Sequence, residues 1–178
     1  MMNAASSLQT AEIKAHPLMF TFRDVISGSG YLGGITLSGR LLMIQEDDGK
    51  WWLYGVRPGA IAESGEHPDE TFLRFRNRYK ETLFDIAEES KTFEDFKAEV
   101  ERFYYQPDSL EENRWEQAFR TARAQCLETP PEPFSTLPIE SPEEYPSGIA
   151  IERMDGQHKR IQPSDNVSDS YRYMAKAA

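Results

Sequence analysis

The sequence predicts an α+β fold: an antiparallel β-meander of about four to five strands, packed by a long helix, then two further helices and a proline-rich tail. Short apolar runs separated by glycine-containing turns are typical of neighbouring antiparallel strands. Farther along, large apolar residues recur at spacings of three and four, which indicates a helix that buries one face. Six prolines between residues 130 and 146 then exclude a helix or a central strand there.

The meander is predicted between residues 18 and 64. Its strands are assigned to residues 18–26, 31–37, 41–46, 51–56 and 60–64, with turns at residues 27–30, 38–39 and 47–50. The strongest turn signal is Asp47-Asp48-Gly49-Lys50, because Asp and Gly tolerate the positive φ that tight hairpins need. The pair Gly33-Gly34 allows a bulge or a close backbone approach.

The strand after this turn is aromatic on both faces. Alternation places Trp51 and Leu53 on one face, and Trp52, Tyr54 and Val56 on the other. We therefore expect helices to cover one face of the sheet, and a partner or further strands to cover the other.

The clearest predicted helix begins at Pro68, a residue suited to the first helical position, and Asp69 and Glu70 favour its positive end. Burial of its apolar stripe is worth about 8–15 kcal/mol gross. Capping patterns at Thr92 and Ser109 predict the starts of two further helices. The stripe of the first helix consists of Phe72, Phe75, Tyr79, Leu83 and Ile86.

The composition divides the chain into three parts. Residues 1–16 are predicted to be a flexible lead, and residues 17–127 the α+β domain. Residues 128–178 are predicted to be a proline-rich linker and a largely disordered tail, with a weak hairpin over residues 149–161 around Asp155-Gly156.

The net charge of −10 disfavours direct binding of nucleic acid, because phosphate backbones are repelled. It favours a basic protein partner, although acidity that only keeps the protein soluble is an alternative. The single cysteine, Cys126, excludes an intramolecular disulfide. Without a membrane-spanning run or a signal peptide, a bacterial-type cytoplasm is the simplest location. The sequence is also compatible with a homodimer.

Catalytic chemistry has little support in the residue pattern. His16, His67 and His158 lie in the lead, at a helix entrance and in the tail, and none has metal-ligand spacing. Cys126 has no nearby histidine that would activate it. We therefore predict no catalytic residue, no metal site and no cofactor.

Four residues are candidates for binding a partner or ligand: Trp52, Tyr54, Arg74 and Arg78. The two aromatic residues lie on the same face of the aromatic strand, and the two arginines share a face of the first helix. Solvated intrahelical pairing, with Glu70 one turn before Arg74, is the alternative for the arginines. Residues 81–144 carry 17 of the 30 acidic residues, which suits either a basic partner or ordinary solvated helices.

Residues 41–79 resemble HicB-like antitoxin domains. The matching features are an acidic-glycine hairpin, an aromatic strand, a Pro-Gly corner, a strand that ends in glycine and a helix that opens with acidic residues. The resemblance implies a partial RNase-H-like layer, usually oligomeric, and the neutralisation of a small basic mRNA-cleaving toxin. It departs from the family in two extra strands before the unit, in its helix start and in lacking an evident DNA-binding region. The matched residues are Asp48, Gly49, Trp52, Val56, Pro58, Gly59, Gly65 and Glu70.

The sequence thus predicts a non-catalytic intracellular protein-binding module, antitoxin-like in its action on a basic partner. The alternative is a small-ligand or nucleotide-binding domain, or an enzyme, with a partly apolar pocket beside the Trp51–Tyr54 strand and the Arg74/Arg78 pair. A third hypothesis is a structural accessory whose tail docks elsewhere.

Overall fold

The computed structural model describes residues 15–106, 108–125, 131, 134 and 147–155. These residues confirm the α+β class, with one antiparallel sheet of five strands and three helices. The strands are β1 (Ala15–Gly28), β2 (Tyr31–Gln45), β3 (Trp51–Arg57), β4 (Ala62–Gly65) and β5 (Gly148–Arg153). The helices are α1 (Pro68–Glu89), α2 (Phe93–Tyr105) and α3 (Ser109–Gln125).

Strand β2 is the centre of the sheet. All of it except Gln45 pairs with β1, from Tyr31 opposite Gly28 to Ile44 opposite Ala15. On its other side, residues 40–45 pair with β3 and residues 33–38 pair with β5. Strand β4 pairs with β3 and forms the opposite end of the meander.

The turn predicted at Ser38-Gly39 is wrong. Both residues lie inside β2, where they pair with Thr21 and Phe20 of β1, so the two strands predicted at residues 31–37 and 41–46 are one. The irregularity is instead a register shift between Arg40 and Leu41. Gly39 serves a close approach, because a Cβ atom there would overlap the carbonyl oxygen of Arg57.

Strand β5 lies beyond residue 127, the predicted end of the α+β domain. It adds to the sheet through pairs such as Ile151 with Ile35 of β2. Phe134, from the proline-rich segment, also packs on the core, with its ring centroid 5.5 Å from that of Phe72. Of the hairpin predicted over residues 149–161, the second arm lies outside the described residues, as do Cys126, His158 and residues 1–14.

The predicted turns at residues 27–30 and 47–50 are confirmed. Gly30 and Gly49 both have a φ of +82°, which L side chains rarely adopt. The amide of Gly49 donates to the carbonyl of Glu46 over 2.9 Å, and the amide of Lys50 donates to the Asp48 carboxylate. The aspartate-glycine pair therefore fixes the register of β2 and β3.

One face of the sheet forms the main core with α1 and α2. The predicted stripe of α1 is buried at Phe72, Phe75, Tyr79 and Leu83, whereas Ile86 is only partly buried and Ala87 completes the contact. Helix α2 starts at the predicted cap, because the Thr92 hydroxyl accepts a hydrogen bond from the amide of Asp95 over 3.1 Å. These helices meet the inward side chains of β1, which include Leu18, Phe20, Phe22 and Ile26.

Helix α3 covers part of the other face. Trp115, Ala118 and Phe119 pack against Leu42, Ile44 and Val56 from β2 and β3. The covering group that we expected from a partner or further strands is therefore, over this half of the sheet, a helix of the chain itself. On the outer side of the β1–β2 hairpin, Val25 and Leu32 are exposed to solvent.

Candidate functional site

Trp52 and Tyr54 lie together on the face of the sheet that α3 covers. They are two residues apart on β3, and their side chains therefore point the same way. Their rings stack with centroids 5.9 Å apart and planes 15° apart. Each side chain is only partly buried, so the edge of the stack is open to solvent.

Charged groups surround Tyr54. Its hydroxyl donates to the Glu46 carboxylate over 3.3 Å, and the Arg114 guanidinium lies 5.7 Å from its ring centroid. Arg114 is itself held by Glu111 at 2.9 Å. Burial raises the pKa of the Tyr54 phenol above its usual value, and the Glu46 carboxylate adds to the rise.

Two polar atoms at this place are buried without a hydrogen-bond partner among the described residues. They are the indole nitrogen of Trp52 and one carboxylate oxygen of Glu111. Glu111 as a whole is 9% exposed, and its other oxygen accepts from Arg114. A buried donor and a buried acceptor that stay unpaired are costly for the folded protein, which makes this place a candidate for binding a polar group.

The start of α3 is fixed on the sheet by contacts on both sides of Glu111. Arg57 of β3 donates to Glu112 over 2.7 Å, and the Asp108 carboxylate accepts from the amide of Glu111. One turn later, the Trp115 indole donates to the carbonyl of Leu18 over 3.3 Å, and the Arg40 guanidinium lies 4.7 Å from the Trp115 ring. Glu111 and Arg114 are therefore held in position beside Tyr54.

The predicted arginines lie on the opposite side of the sheet, along the edge of β4. Arg74 donates to the carbonyl of Ser64 over 3.0 Å and binds Glu70 at 2.5 Å. Arg78 binds Glu63 at 3.3 Å and Glu81 at 3.5 Å. The structure therefore does not bring Arg74 and Arg78 together with Trp52 and Tyr54.

An open depression of about 330 Å³ lies beside these arginines. It is lined by Glu63, Arg74, Asn77, Arg78 and Glu81. The lining is charged and both arginines are paired within it, whereas the small-ligand alternative requires a partly apolar pocket beside the aromatic strand. This depression gives that alternative little support.

The other two cations of α1 point to the opposite edge of the sheet. Lys80 binds Asp24 of β1 at 2.7 Å, and Arg76 lies 5.0 Å from the Phe22 ring centroid. The alternating basic residues of α1 thus divide between β4 and β1, and each pair holds the helix to one edge.

Two of the three histidines, His16 and His67, lie in the described part of the chain. His67 is the N-terminal cap residue of α1 without a side-chain cap, and His16 lies 6.3 Å from the Trp51 ring. Within the described ranges, no three His, Cys, Asp or Glu side chains are grouped as metal ligands would be. In the same ranges, no helix has the length and apolar character needed to cross a membrane.

No family model matches this chain, and comparison with curated proteins and with solved structures finds no similar protein. The resemblance to HicB-like domains therefore stays a prediction that rests on residues 41–79 alone. Among the matched residues, Asp48 and Gly49 lie in the turn after β2, and Gly65 ends β4 just before α1.

Sequence reasoning missed the charged partners of Tyr54. Glu111 and Arg114 have the spacing of a helical ion pair, and this spacing could have revealed their contact with each other. Their position beside Tyr54 could not be read from the sequence, because more than 50 residues separate β3 from α3.

Proposed function

We propose that this chain is a non-catalytic, cytoplasmic protein-binding module that holds a basic partner on an aromatic–acidic surface. This surface consists of Trp52, Tyr54, Glu46 and Glu111. The observation that carries the proposal is the contact of Arg114 with Tyr54 and Glu111. It supports the view that this surface can hold a guanidinium group.

The chemistry of the surface suits arginine or lysine from a partner. An aromatic ring attracts a cation by about 0.5–2 kcal/mol, depending on how far the pair is desolvated. Glu46 is exposed beside Tyr54, and Asp47 and Asp48 follow it in the exposed hairpin turn. A basic side chain that contacts the open edge of the stack would therefore meet carboxylates as well as rings.

The whole-chain charge supports the same class of partner. A net charge of −10 attracts a basic protein over long range and speeds its association. If the HicB-like resemblance reflects common function, the partner is a small basic mRNA-cleaving protein, and the aromatic–acidic surface would cover part of it.

The proposal can be tested with hexa-arginine peptide and isotope-labelled protein by NMR. We expect the peptide to shift the backbone amide signals of Trp52 and Tyr54 at low salt, and added salt to weaken the effect. Glu46→Gln should lower the affinity several-fold. Glu81→Gln, which removes the same charge beside Arg78, should lower it much less.

Two results would contradict the proposal. One is an absence of shifts around β3, or shifts spread evenly over the acidic helices. The other is an equal loss of affinity in Glu46→Gln and Glu81→Gln, because this would show attraction to the net charge alone.

A further inference from the structure

The free edge of β1 is the longest unpaired backbone in the described structure. β1 has 14 residues and pairs only with β2, along its entire length. None of the described elements lies beside its other edge as a strand. Exposed edges are usually short or blocked, because their unpaired amides and carbonyls recruit other strands.

The hairpin geometry shows which backbone groups face outward. Only Ser29 and Gly30 separate β1 from β2, so Gly28 and Tyr31 are the hydrogen-bonded pair that closes the turn. By alternation, the odd-numbered residues of β1 point their amides and carbonyls away from β2. Val25 agrees with this, because its amide donates to the Asp24 carboxylate over 2.9 Å.

Two features limit the stretch that another strand can join. Pro17 occupies an outward position and has no amide hydrogen to donate. At the other end, the Val25 amide is already occupied by Asp24. Between them, Met19, Thr21 and Arg23 present outward amides for which the described residues provide no partner.

We propose that a second copy of this chain pairs with β1 in antiparallel orientation, with Phe22 on the two-fold axis. In this register Thr21 faces Arg23 of the second copy, and Met19 faces Val25 of the second copy. The outward amides of Met19 and Thr21 then meet carbonyls, and the sheet continues through the dimer.

The two registers shifted by one or two residues toward the β1–β2 turn oppose like charges. A two-fold axis at Arg23 places the two Arg23 side chains opposite each other, and an axis at Asp24 does the same for the two carboxylates. Like charges directly opposite each other destabilise a strand pair. The register centred on Phe22 avoids both contacts.

The exposed side chain of Val25 supports the same register. It is 48% exposed on the outer face. Met19, its opposite residue in the proposed pairing, packs against the Trp115 cluster below α3. Val25 would thus lie next to the apolar cluster of the second copy and lose its exposure to water.

Charges near the axis make the proposed dimer sensitive to salt. Each copy brings Arg76 close to the axis, over Phe22, and Asp24 and Lys80 neutralise each other beside it. Both copies also carry the same net charge of −10. Screening should therefore strengthen the dimer, whereas it should weaken binding of a basic partner, so the two proposals can fail separately.

The test is sedimentation equilibrium of the full chain and of two variants at Thr21. Thr21→Glu faces Arg23 of the second copy and should tighten the dimer, whereas Thr21→Arg should weaken it. With two symmetric pairs per dimer, the dissociation constants should differ on the order of tenfold. Combining Thr21→Arg with Arg23→Glu should restore the affinity. Ser27→Glu and Ser27→Arg, whose side chains face Pro17, should differ from each other much less.

The proposal is overturned if the wild-type chain stays a monomer at NMR concentrations in high salt. It is also overturned if the Glu and Arg variants at Thr21 dimerise equally, since this places another surface or register at the axis. The proposal is likewise overturned if NMR of a monomer shows residues 1–14 in contact with the β1 edge, because the chain itself would then occupy that edge.

Discussion

Lys80 on α1 binds the carboxylate of Asp24 on β1 at 2.7 Å, and this ion pair fastens the helix to the free edge of the sheet. Burial alone would raise the pKa of Asp24, but the hydrogen bonds from Lys80 and from the Val25 amide and the nearby positive charges outweigh it. The pKa of Asp24 is therefore lower in the folded protein than in the unfolded chain.

We expect Lys80→Met to destabilise the protein by about 0.2–1 kcal/mol at pH 7, because the pair is partly exposed to solvent. A lowered carboxyl pKa stabilises the fold above the unfolded value of 3.8 and loses this effect as the pH falls through the folded value. The difference between wild type and variant should thus shrink at pH 3 and below, in urea unfolding at each pH. A difference that is independent of pH would contradict the role of Asp24.

Two buried tyrosines should respond oppositely to loss of the hydroxyl group. The Tyr79 hydroxyl is buried with no hydrogen-bond partner among the described residues, whereas the Tyr104 hydroxyl donates to the carbonyl of Ser38 over 2.5 Å. Tyr79→Phe should leave stability unchanged or raise it by about 1 kcal/mol, and Tyr104→Phe should lower it by about 1 kcal/mol. Midpoints of urea unfolding, compared between variants with the same m-value, show whether each substitution raises or lowers the stability. A clear loss in Tyr79→Phe would show that its hydroxyl has a partner.

Gly39 should not tolerate alanine. The added Cβ atom would overlap the carbonyl oxygen of Arg57, which belongs to the backbone and cannot rotate away. We expect Gly39→Ala to cost about 1–3 kcal/mol, as for other overpacked sites. Gly148→Ala is the matched control, because nothing lies within 4 Å of its added methyl group and its φ is not positive. If thermal unfolding shows equal effects, the close approach at Gly39 does not constrain the strand.

Removing the carboxylate beside Tyr54 should make its phenol more acidic. Burial raises the pKa of Tyr54, and Glu46 raises it further by its charge and by accepting a hydrogen bond from the hydroxyl. We therefore expect Glu46→Gln to lower the Tyr54 pKa toward the ordinary tyrosine value, seen by NMR titration of the tyrosine ring signals. Glu63→Gln, near Arg78 on the other side of the sheet, should leave it unchanged. An unchanged Tyr54 pKa in Glu46→Gln would show that Glu46 does not contact Tyr54 and is not part of the aromatic–acidic surface.

Local patterns in the sequence predicted the elements whose signals are themselves local. The stripe from Phe72 to Leu83 repeats every three or four residues, and it specifies a buried helix face without knowledge of its partner. The pair Asp48-Gly49 fixes its turn because only a few residue types adopt a positive φ cheaply. Gly39 was wrongly assigned to a turn, because glycine is equally suited to a turn and to a close approach of two backbones.

Long-range contacts explain the rest. Strand β5 could not be placed from its sequence, because its partner in β2 lies more than 100 residues earlier and a proline-rich segment intervenes. The candidate surface has the same origin: Trp52 and Tyr54 were identified from alternation on β3, but Glu111 reaches them only through the fold. Trp52 and Tyr54 lie on the other side of the sheet from Arg74 and Arg78. The sequence did not reveal this separation, because composition does not show which face of a sheet a helix covers.

Strand β5 also has a consequence for synthesis on the ribosome. Residues 33–38 of β2 obtain their second neighbour only when residues 148–153 have left the exit tunnel. Until then, residues 33–38 of the nascent chain pair with β1 on one side only, although the β1–β2 hairpin can already form. Any factor that protects nascent chains from misassembly would find its target in this part of β2.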